Sequence, residues 1–131
     1  MNERLPITSD AGLVQARQIV RTLAQQCRLS LVDQTKLITA ASELARNTLI
    51  HGGSGSMDAA VVDRAGRRGI RLEFTDTGPG IADLDLALTD GWTSGTGMGL
   101  GLSGSRRLVD DFAIATEPGR GTTVTVVKWG R

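Results

Sequence analysis

The sequence predicts an α+β fold in which a mixed, mostly antiparallel sheet carries three helices on one face. Three observations lead to this prediction. The first half of the chain contains two long segments with helical apolar periodicity. Two pairs of alternating apolar segments are separated by glycine-containing turns, which is typical of hairpins. Helices and strands do not alternate strictly along the chain, which disfavours a parallel, doubly wound sheet.

Composition narrows the class of protein. The chain has 131 residues and 40% of them are hydrophobic, so we expect one domain, residues 1–131, with a real core. The formal net charge of +1 gives no electrostatic case for binding nucleic acid or a membrane surface. A single cysteine excludes an internal disulfide, and one cysteine with one histidine excludes a structural zinc site. No segment is typical of a membrane span or signal peptide, so a soluble, cytoplasmic protein is expected.

The first elements are a strand and a helix. Residues 4–8 predict a short strand, and Ser9 or Asp10 can cap the helix that follows. That helix is predicted from Ala11 to Cys27, because apolar residues recur there at spacings of three and four. The residues of this stripe are Leu13, Ala16, Val20, Leu23 and Cys27.

A second helix is predicted to run to about Ile50. Ser30 and Asp33 form a candidate capping box at its start, and Gly52 closes it. Its apolar stripe comprises Leu37, Ile38, Ala41, Leu44, Ala45 and Leu49. The stripe predicts one face packed against a sheet and a polar face opposite.

The second half of the chain is predicted as two hairpins with a glycine-rich loop and a third helix between them. In order, these are strands at 57–64 and 69–76 around a turn at 65–69, the loop at 77–99, the helix at 100–112, and strands at 112–117 and 122–129 around a turn at 118–121. The loop is too long for a simple connection, which favours a functional role.

Glu43 and Asn47 are the first candidates for chemistry. They are four residues apart on the second helix and therefore share one face, opposite the apolar stripe. A solvated face with a Glu43–Arg46 ion pair is the ordinary interpretation of such residues. Alternatively, a carboxylate can act as a general base, and an amide oxygen is a suitable ligand for magnesium.

Two glycine clusters point towards a nucleotide. "FTDTGPGIAD" places Asp76 at a strand end, which is either turn chemistry or a carboxylate fixed to accept a hydrogen bond from a ligand amine. "GTGMGLGLSG" leads into a helix, where backbone N–H groups can bind an anion. Its GxGxxG match is not a dinucleotide fingerprint, since no strand precedes it. The absence of a Gly-Lys pair from the sequence excludes a Walker A loop.

The segments "SELARNTLIHG", "DTGPGI" and "GTGMGLGL" resemble, in order and spacing, the N, G1 and G2 boxes of the GHKL (Bergerat) ATP-binding fold of gyrase, Hsp90, histidine kinases and MutL. Within that superfamily the chain is similar to the anti-sigma-factor serine/threonine kinases, particularly the RsbT-type switch kinases of stressosome signalling. "VDQTKLITAASELARN" and "EPGRGTTV" add to the likeness, which covers nearly the whole chain.

The resemblance implies roles for individual residues. Asn47 would bind the Mg²⁺ that bridges the ATP phosphates, and Glu43 would be the general base. Asp76 would accept a hydrogen bond from the exocyclic amine of adenine. The remaining ATP-binding residues that it implies are Gly78, Gly80, Ile81, Gly95, Gly97, Met98, Gly99, Leu100, Gly101, Leu102 and Thr123. Thr123 would complete the adenine side of the site from the last hairpin.

The activity implied by the resemblance is that of a Mg²⁺- and ATP-dependent kinase. It would phosphorylate a serine or threonine of a STAS-domain antagonist or scaffold protein, and on release would activate a partner such as a PP2C-type phosphatase. The alternative is an anti-sigma-factor kinase of the SpoIIAB or RsbW kind, which sequesters a sigma factor directly. A third possibility, an ATP-binding switch without catalysis, is disfavoured by the presence of Glu43.

Overall fold

The computed structural model describes residues 2–50, 52–80 and 101–130. Their elements are β1 Asn2–Ile7, α1 Asp10–Gln26, α2 Leu31–Ile50, β2 Gly55–Arg64, β3 Arg67–Asp76, α3 Gly101–Leu108, β4 Asp111–Glu117 and β5 Gly121–Trp129. The five strands form one sheet in the order β1-β2-β3-β5-β4, and each of these neighbouring pairs is antiparallel. The predicted α+β class is confirmed, with a sheet that is antiparallel throughout the described strands.

The core lies between one face of the sheet and the helices. Alternate residues of each strand point to the same face, and on β3 these are Ile70, Leu72 and Phe74, all buried. Val124 and Val126 of β5 pair directly with Phe74 and Leu72. The helices contribute Ala16, Val20, Leu23, Leu37, Ala41, Leu44 and Ala45 to the same cluster. In the described part of the chain, no helix is long and apolar enough to cross a membrane.

The start of α2 is fixed at two points. Ser30 Oγ accepts a hydrogen bond from the Asp33 N–H at 3.1 Å, which confirms one half of the predicted capping box. The Asp33 carboxylate is buried and lies 3.5 Å from Lys128 Nζ of β5, which is also 3.5 Å from the Asp110 carboxylate. A cation of the sheet therefore holds the first turn of the helix that carries Glu43 and Asn47.

The β2–β3 turn is tighter than predicted. Both strands extend to Arg64 and Arg67, so that only Ala65 and Gly66 separate them. Their φ angles are +51° and +79°, the signature of the two-residue turns that match the twist of antiparallel strands. The predicted turn at 65–69 was therefore too long.

The third helix ends at Leu108 instead of residue 112. Asp110 diverts the chain into the sheet, because its N–H donates to Val127 O at 3.0 Å and its carboxylate accepts the Trp129 N–H at 2.7 Å. These bonds to the last strand compete with continuation of the helix, and β4 begins at Asp111.

Candidate functional site

α2 presents Glu43 and Asn47 on one face, as predicted. Both side chains are half-buried, whereas Leu44 and Ala45 between them are buried in the core. One turn of helix separates the two, about 6 Å along the axis. Within the described residues no ion pair joins Glu43 to Arg46. The structure therefore keeps the polar face of the ordinary interpretation but, among the described residues, not its Glu43–Arg46 ion pair.

Asp76 is the last residue of β3 and lies on the same face of the sheet as Phe74 and Leu72. Its Oδ1 accepts a hydrogen bond from the Gly78 N–H at 2.9 Å. This turn, in which an aspartate side chain bonds the backbone two residues later, fixes the orientation of the carboxyl group. The second oxygen can then accept a hydrogen bond from a ligand at a defined position.

Gly52 brings the end of α2 against Asp76. A Cβ placed on Gly52 would overlap the Asp76 side chain and would lie 2.7 Å from Thr48 O. The Gly52 N–H also donates to Asn47 O at 3.3 Å. The segment carrying Asn47 and the strand end carrying Asp76 therefore form one site. The sequence predicted Gly52 only as a helix terminator, since the contact joins segments 24 positions apart.

Thr122, and not Thr123, lies across from Asp76. The register of β3 and β5 pairs Asp76 with Thr122 and Thr75 with Thr123, so the Thr123 side chain points to the opposite face of the sheet. Thr122 Oγ1 lies 2.9 Å from Thr116 Oγ1 of β4, on the face that carries Asp76. The geometry therefore favours Thr122 over Thr123 beside an adenine ring. The sequence alone could have shown this. Thr122 lies two and four residues before the inward-facing Val124 and Val126, so it lies on the same face of the strand.

Gly80 and the last hairpin hold the "DTGPG" loop in place. Gly80 has a φ of +76°, and a Cβ there would lie 2.9 Å from the carbonyl carbon of Glu117. The Gly119 N–H donates to Pro79 O at 2.7 Å. The tip of the β4–β5 hairpin thus anchors the loop, and Gly80 is required there for backbone contact. An open pocket of about 360 Å³ at this junction is lined by residues that include Asp76, Thr77, Thr122 and Thr123.

α3 begins at Gly101 and packs against α2. Leu102 is buried in the core cluster, as expected for a residue that packs the helix start. The other predicted residues of the phosphate loop and the adenine wall lie outside the described residues and stay predictions. They are Ile81, Gly95, Gly97, Met98, Gly99 and Leu100.

The possible metal ligands of the site suit a metal ion that is bound mainly by the phosphates of a nucleotide. Within residues 2–50, 52–80 and 101–130, no group of three histidine, cysteine, aspartate or glutamate side chains could hold a metal ion. Mg²⁺ in nucleotide sites is held by one or two protein ligands together with substrate phosphates and water. The amide oxygen of Asn47 fits that role, one helical turn from Glu43.

Comparison with known proteins identifies the family. Residues 32–129 match the model of the histidine kinase-, DNA gyrase B- and HSP90-like ATPases. The serine/threonine-protein kinase RsbT of Bacillus subtilis is 37% identical over 125 residues, which cover 95% of this chain and 94% of RsbT. An anti-sigma F factor of Thermoanaerobacter sp. (strain X514) is 27% identical over 119 residues, covering 87% of this chain and 82% of that factor.

The fold is also similar to that of a solved structure. The RsbU and RsbW domains of Rv1364c from Mycobacterium tuberculosis match all of this chain with a TM-score of 0.68 at 20% identity. The match covers 33% of that longer chain, so it supports the fold alone. The three sequence boxes, the sheet with its helical face and the full-length similarity agree. The chain belongs to the histidine kinase-, DNA gyrase B- and HSP90-like ATPase family, in its RsbT-type branch.

Proposed function

We propose that the chain is a cytoplasmic, Mg²⁺- and ATP-dependent protein kinase that phosphorylates a serine or threonine of a STAS-domain protein in a partner-switching pathway. On release from that protein it activates a downstream effector, such as a PP2C-type phosphatase. One observation carries the proposal: Glu43 makes no ion pair within the described residues and lies one turn from Asn47, on the helix whose end packs against Asp76. Similarity to RsbT over nearly the full length supports the same activity.

Each residue has a distinct task in this proposal. Asp76, oriented by its hydrogen bond from the Gly78 N–H, would accept a hydrogen bond from the exocyclic amine of adenine. Thr122 of β5, which pairs with Asp76, would lie beside the same ring. Asn47 would hold Mg²⁺, which would supply charge neutralisation for the phosphates. Glu43 would accept the proton of the attacking hydroxyl as that oxygen bonds to the γ-phosphorus, while the bond from the γ-phosphorus to the β,γ-bridging oxygen breaks and ADP leaves. Positioning and charge neutralisation dominate phosphoryl transfer, so a carboxylate beside the nucleophile is the principal catalytic contribution of the side chains.

Replacement of Glu43 tests the catalytic assignment. We expect Glu43→Gln to lower phosphotransfer by about 10²–10⁴-fold, the usual contribution of a general base. ATP affinity should change less than about threefold, because the base contacts the protein hydroxyl and not the nucleotide. The measurement is label transfer from γ-labelled ATP to a purified STAS-domain protein, with ATP binding followed by calorimetry.

Arg46→Gln is the matched control, since this exposed residue lies three positions from Glu43 on the same helix. It should retain transfer within about threefold of the unmodified chain. If Glu43→Gln loses ATP binding and phosphotransfer equally, Glu43 is a structural residue and the base assignment is wrong.

A second candidate function is that of an anti-sigma factor that holds a sigma factor directly. The similarity to anti-sigma F factors over 87% of the chain favours it. Co-purification separates the two candidates. Recovery of a STAS-domain scaffold supports the switch kinase, and recovery of a sigma subunit in a nucleotide-dependent complex supports the anti-sigma factor.

A further inference from the structure

The polar stripe of α2 continues well beyond the two residues assigned to the site. Thr39, Lys36 and Val32 lie four, seven and eleven positions before Glu43, the spacings that keep side chains on one face of a helix. They lie about 6, 10 and 16 Å from Glu43 along the axis. All three are exposed, and Val32 retains 63% of its accessible surface.

Lys36 is available for a partner. Within the described residues Lys36 makes no ion pair, in contrast to several arginines of the strands and of the β4–β5 turn. Arg4, Arg64, Arg68 and Arg120 each lie within 4 Å of a carboxylate. The ammonium group of Lys36 is thus a solvated charge beside an apolar side chain, on the face that leads to the general base.

The charge of the α1–α2 segment favours an acidic partner. Residues 10–50 contain five cations and three carboxylates. The cations are Arg17, Arg21, Arg28, Lys36 and Arg46, and the carboxylates are Asp10, Asp33 and Glu43. Because Asp33 is buried against Lys128, the segment has five cations but only two carboxylates that are accessible to a partner. Complementary charge of this kind steers association and sets the register of a docked partner.

Taking the proposed kinase activity as its basis, we propose that Val32, Lys36 and Thr39 form a docking track for the protein substrate. The substrate segment presents a carboxylate to Lys36, about 10 Å from the phosphoacceptor hydroxyl, and an apolar side chain to Val32, about 16 Å from it. The small Thr39 leaves room for the segment between these contacts and Glu43. The track determines which protein is phosphorylated, and the chemistry stays with Glu43 and Asn47.

Charge reversal of Lys36 tests the docking track. With the purified STAS-domain protein of the label-transfer assay as the probe, Lys36→Glu should raise the KM for the probe about tenfold and leave kcat within about twofold. The effect should shrink as ionic strength rises, since exposed charges are screened by salt. Arg71→Glu is the matched control, because this exposed arginine lies on the sheet face that points away from the helices. It should leave both parameters within about twofold.

The apolar contact has its own pair of variants. Val32→Asn should raise the KM about threefold to fivefold through loss of an apolar contact. Leu31→Asn serves as the control, since Leu31 is 78% exposed in the same turn but points about 100° away around the helix. Equal effects of the two substitutions in each pair would overturn the docking track.

Binding of the same probe, measured with a non-hydrolysable ATP analogue, separates this inference from the proposed activity. If the unmodified chain binds the probe without phosphorylating it, the kinase proposal fails. The docking track then stands or falls on whether Lys36→Glu weakens binding more than Arg71→Glu. If the unmodified chain does not bind the probe, both proposals fail. A carboxylate-to-lysine change in the probe that restores its binding to the Lys36→Glu variant would identify the substrate residue that contacts Lys36.

Discussion

At the scale of single residues, Asp76 and Thr122 are the pair that our proposal places beside the adenine ring. They face each other at the ends of β3 and β5, and Thr116 lies beside Thr122. We expect Thr122→Val to weaken ATP binding about fivefold, the effect of losing one hydrogen bond. Thr123→Val should have little effect, because Thr123 points to the other face of the sheet. Titration calorimetry of both variants decides between them, and a larger loss in Thr123→Val would contradict the register argument.

The same residues separate what could be predicted from what could not. The positions of Glu43, Asn47 and Asp76 could be predicted from local patterns, a helical spacing and a strand end followed by glycines, and their chemical roles stay predictions. Gly52 was predicted only as a helix end. Its contact with Asp76 depends on how closely α2 approaches the sheet, and local spacing carries no information about that distance. Thr122 could have been placed on the face of Asp76 by counting alternation from Val124.

At the scale of elements, the fixed start of α2 matters because this helix carries Glu43 and Asn47. Asp33 and Lys128 are both buried, and their charged groups lie 3.5 Å apart. We expect Asp33→Ala to destabilise the chain by about 2–3 kcal/mol, less than the about 3–5 kcal/mol for a fully orphaned buried charge, because Asp110 still accompanies Lys128. Urea unfolding measures the change in free energy.

Two further variants test whether the loss of stability in Asp33→Ala is caused by the uncompensated charge of Lys128. Asp63→Ala removes an exposed partner of Arg68 and should cost less than about 1 kcal/mol, since surface ion pairs contribute little. Asp33→Leu combined with Lys128→Met should recover most of the stability, because no unpaired charge is left in the core. A double variant as unstable as Asp33→Ala would show that packing, and not the uncompensated charge, controls the loss.

Elements differed in how well the sequence could predict them. α1 and α2 were predicted within a few residues, because four or more turns of apolar periodicity outweigh local ambiguity. α3 was predicted four residues too long. Its end depends on hydrogen bonds from Asp110 to the last strand, and these arise only in the folded chain. The two-residue β2–β3 turn was missed for a related reason, since Ala65 adopts a positive φ that alanine rarely takes.

At the scale of the whole molecule, segments far apart in the sequence converge at the site proposed for the nucleotide. The end of α2, the end of β3 and the β4–β5 hairpin meet around Asp76 through Gly52, Gly121 and Gly80. Each glycine permits a backbone contact that a Cβ would obstruct. A ligand that binds all three segments binds only the folded state and should therefore stabilise the chain as a unit.

Mg²⁺–ATP should raise the free energy of unfolding by about 2.7 kcal/mol at a concentration 100 times its Kd. Asp76→Asn should abolish this gain while the stability of the ligand-free chain changes little. The asparagine Oδ1 can still accept the Gly78 N–H, as the Asp76 Oδ1 does at 2.9 Å. Its amide NH₂ replaces the other carboxylate oxygen, and two donors, this amide and the exocyclic amine of adenine, then face each other. Urea unfolding with and without Mg²⁺–ATP measures both quantities. A variant that keeps the ligand-induced gain would place the adenine away from Asp76, whereas a loss of ligand-free stability would mean that the second oxygen has a structural role.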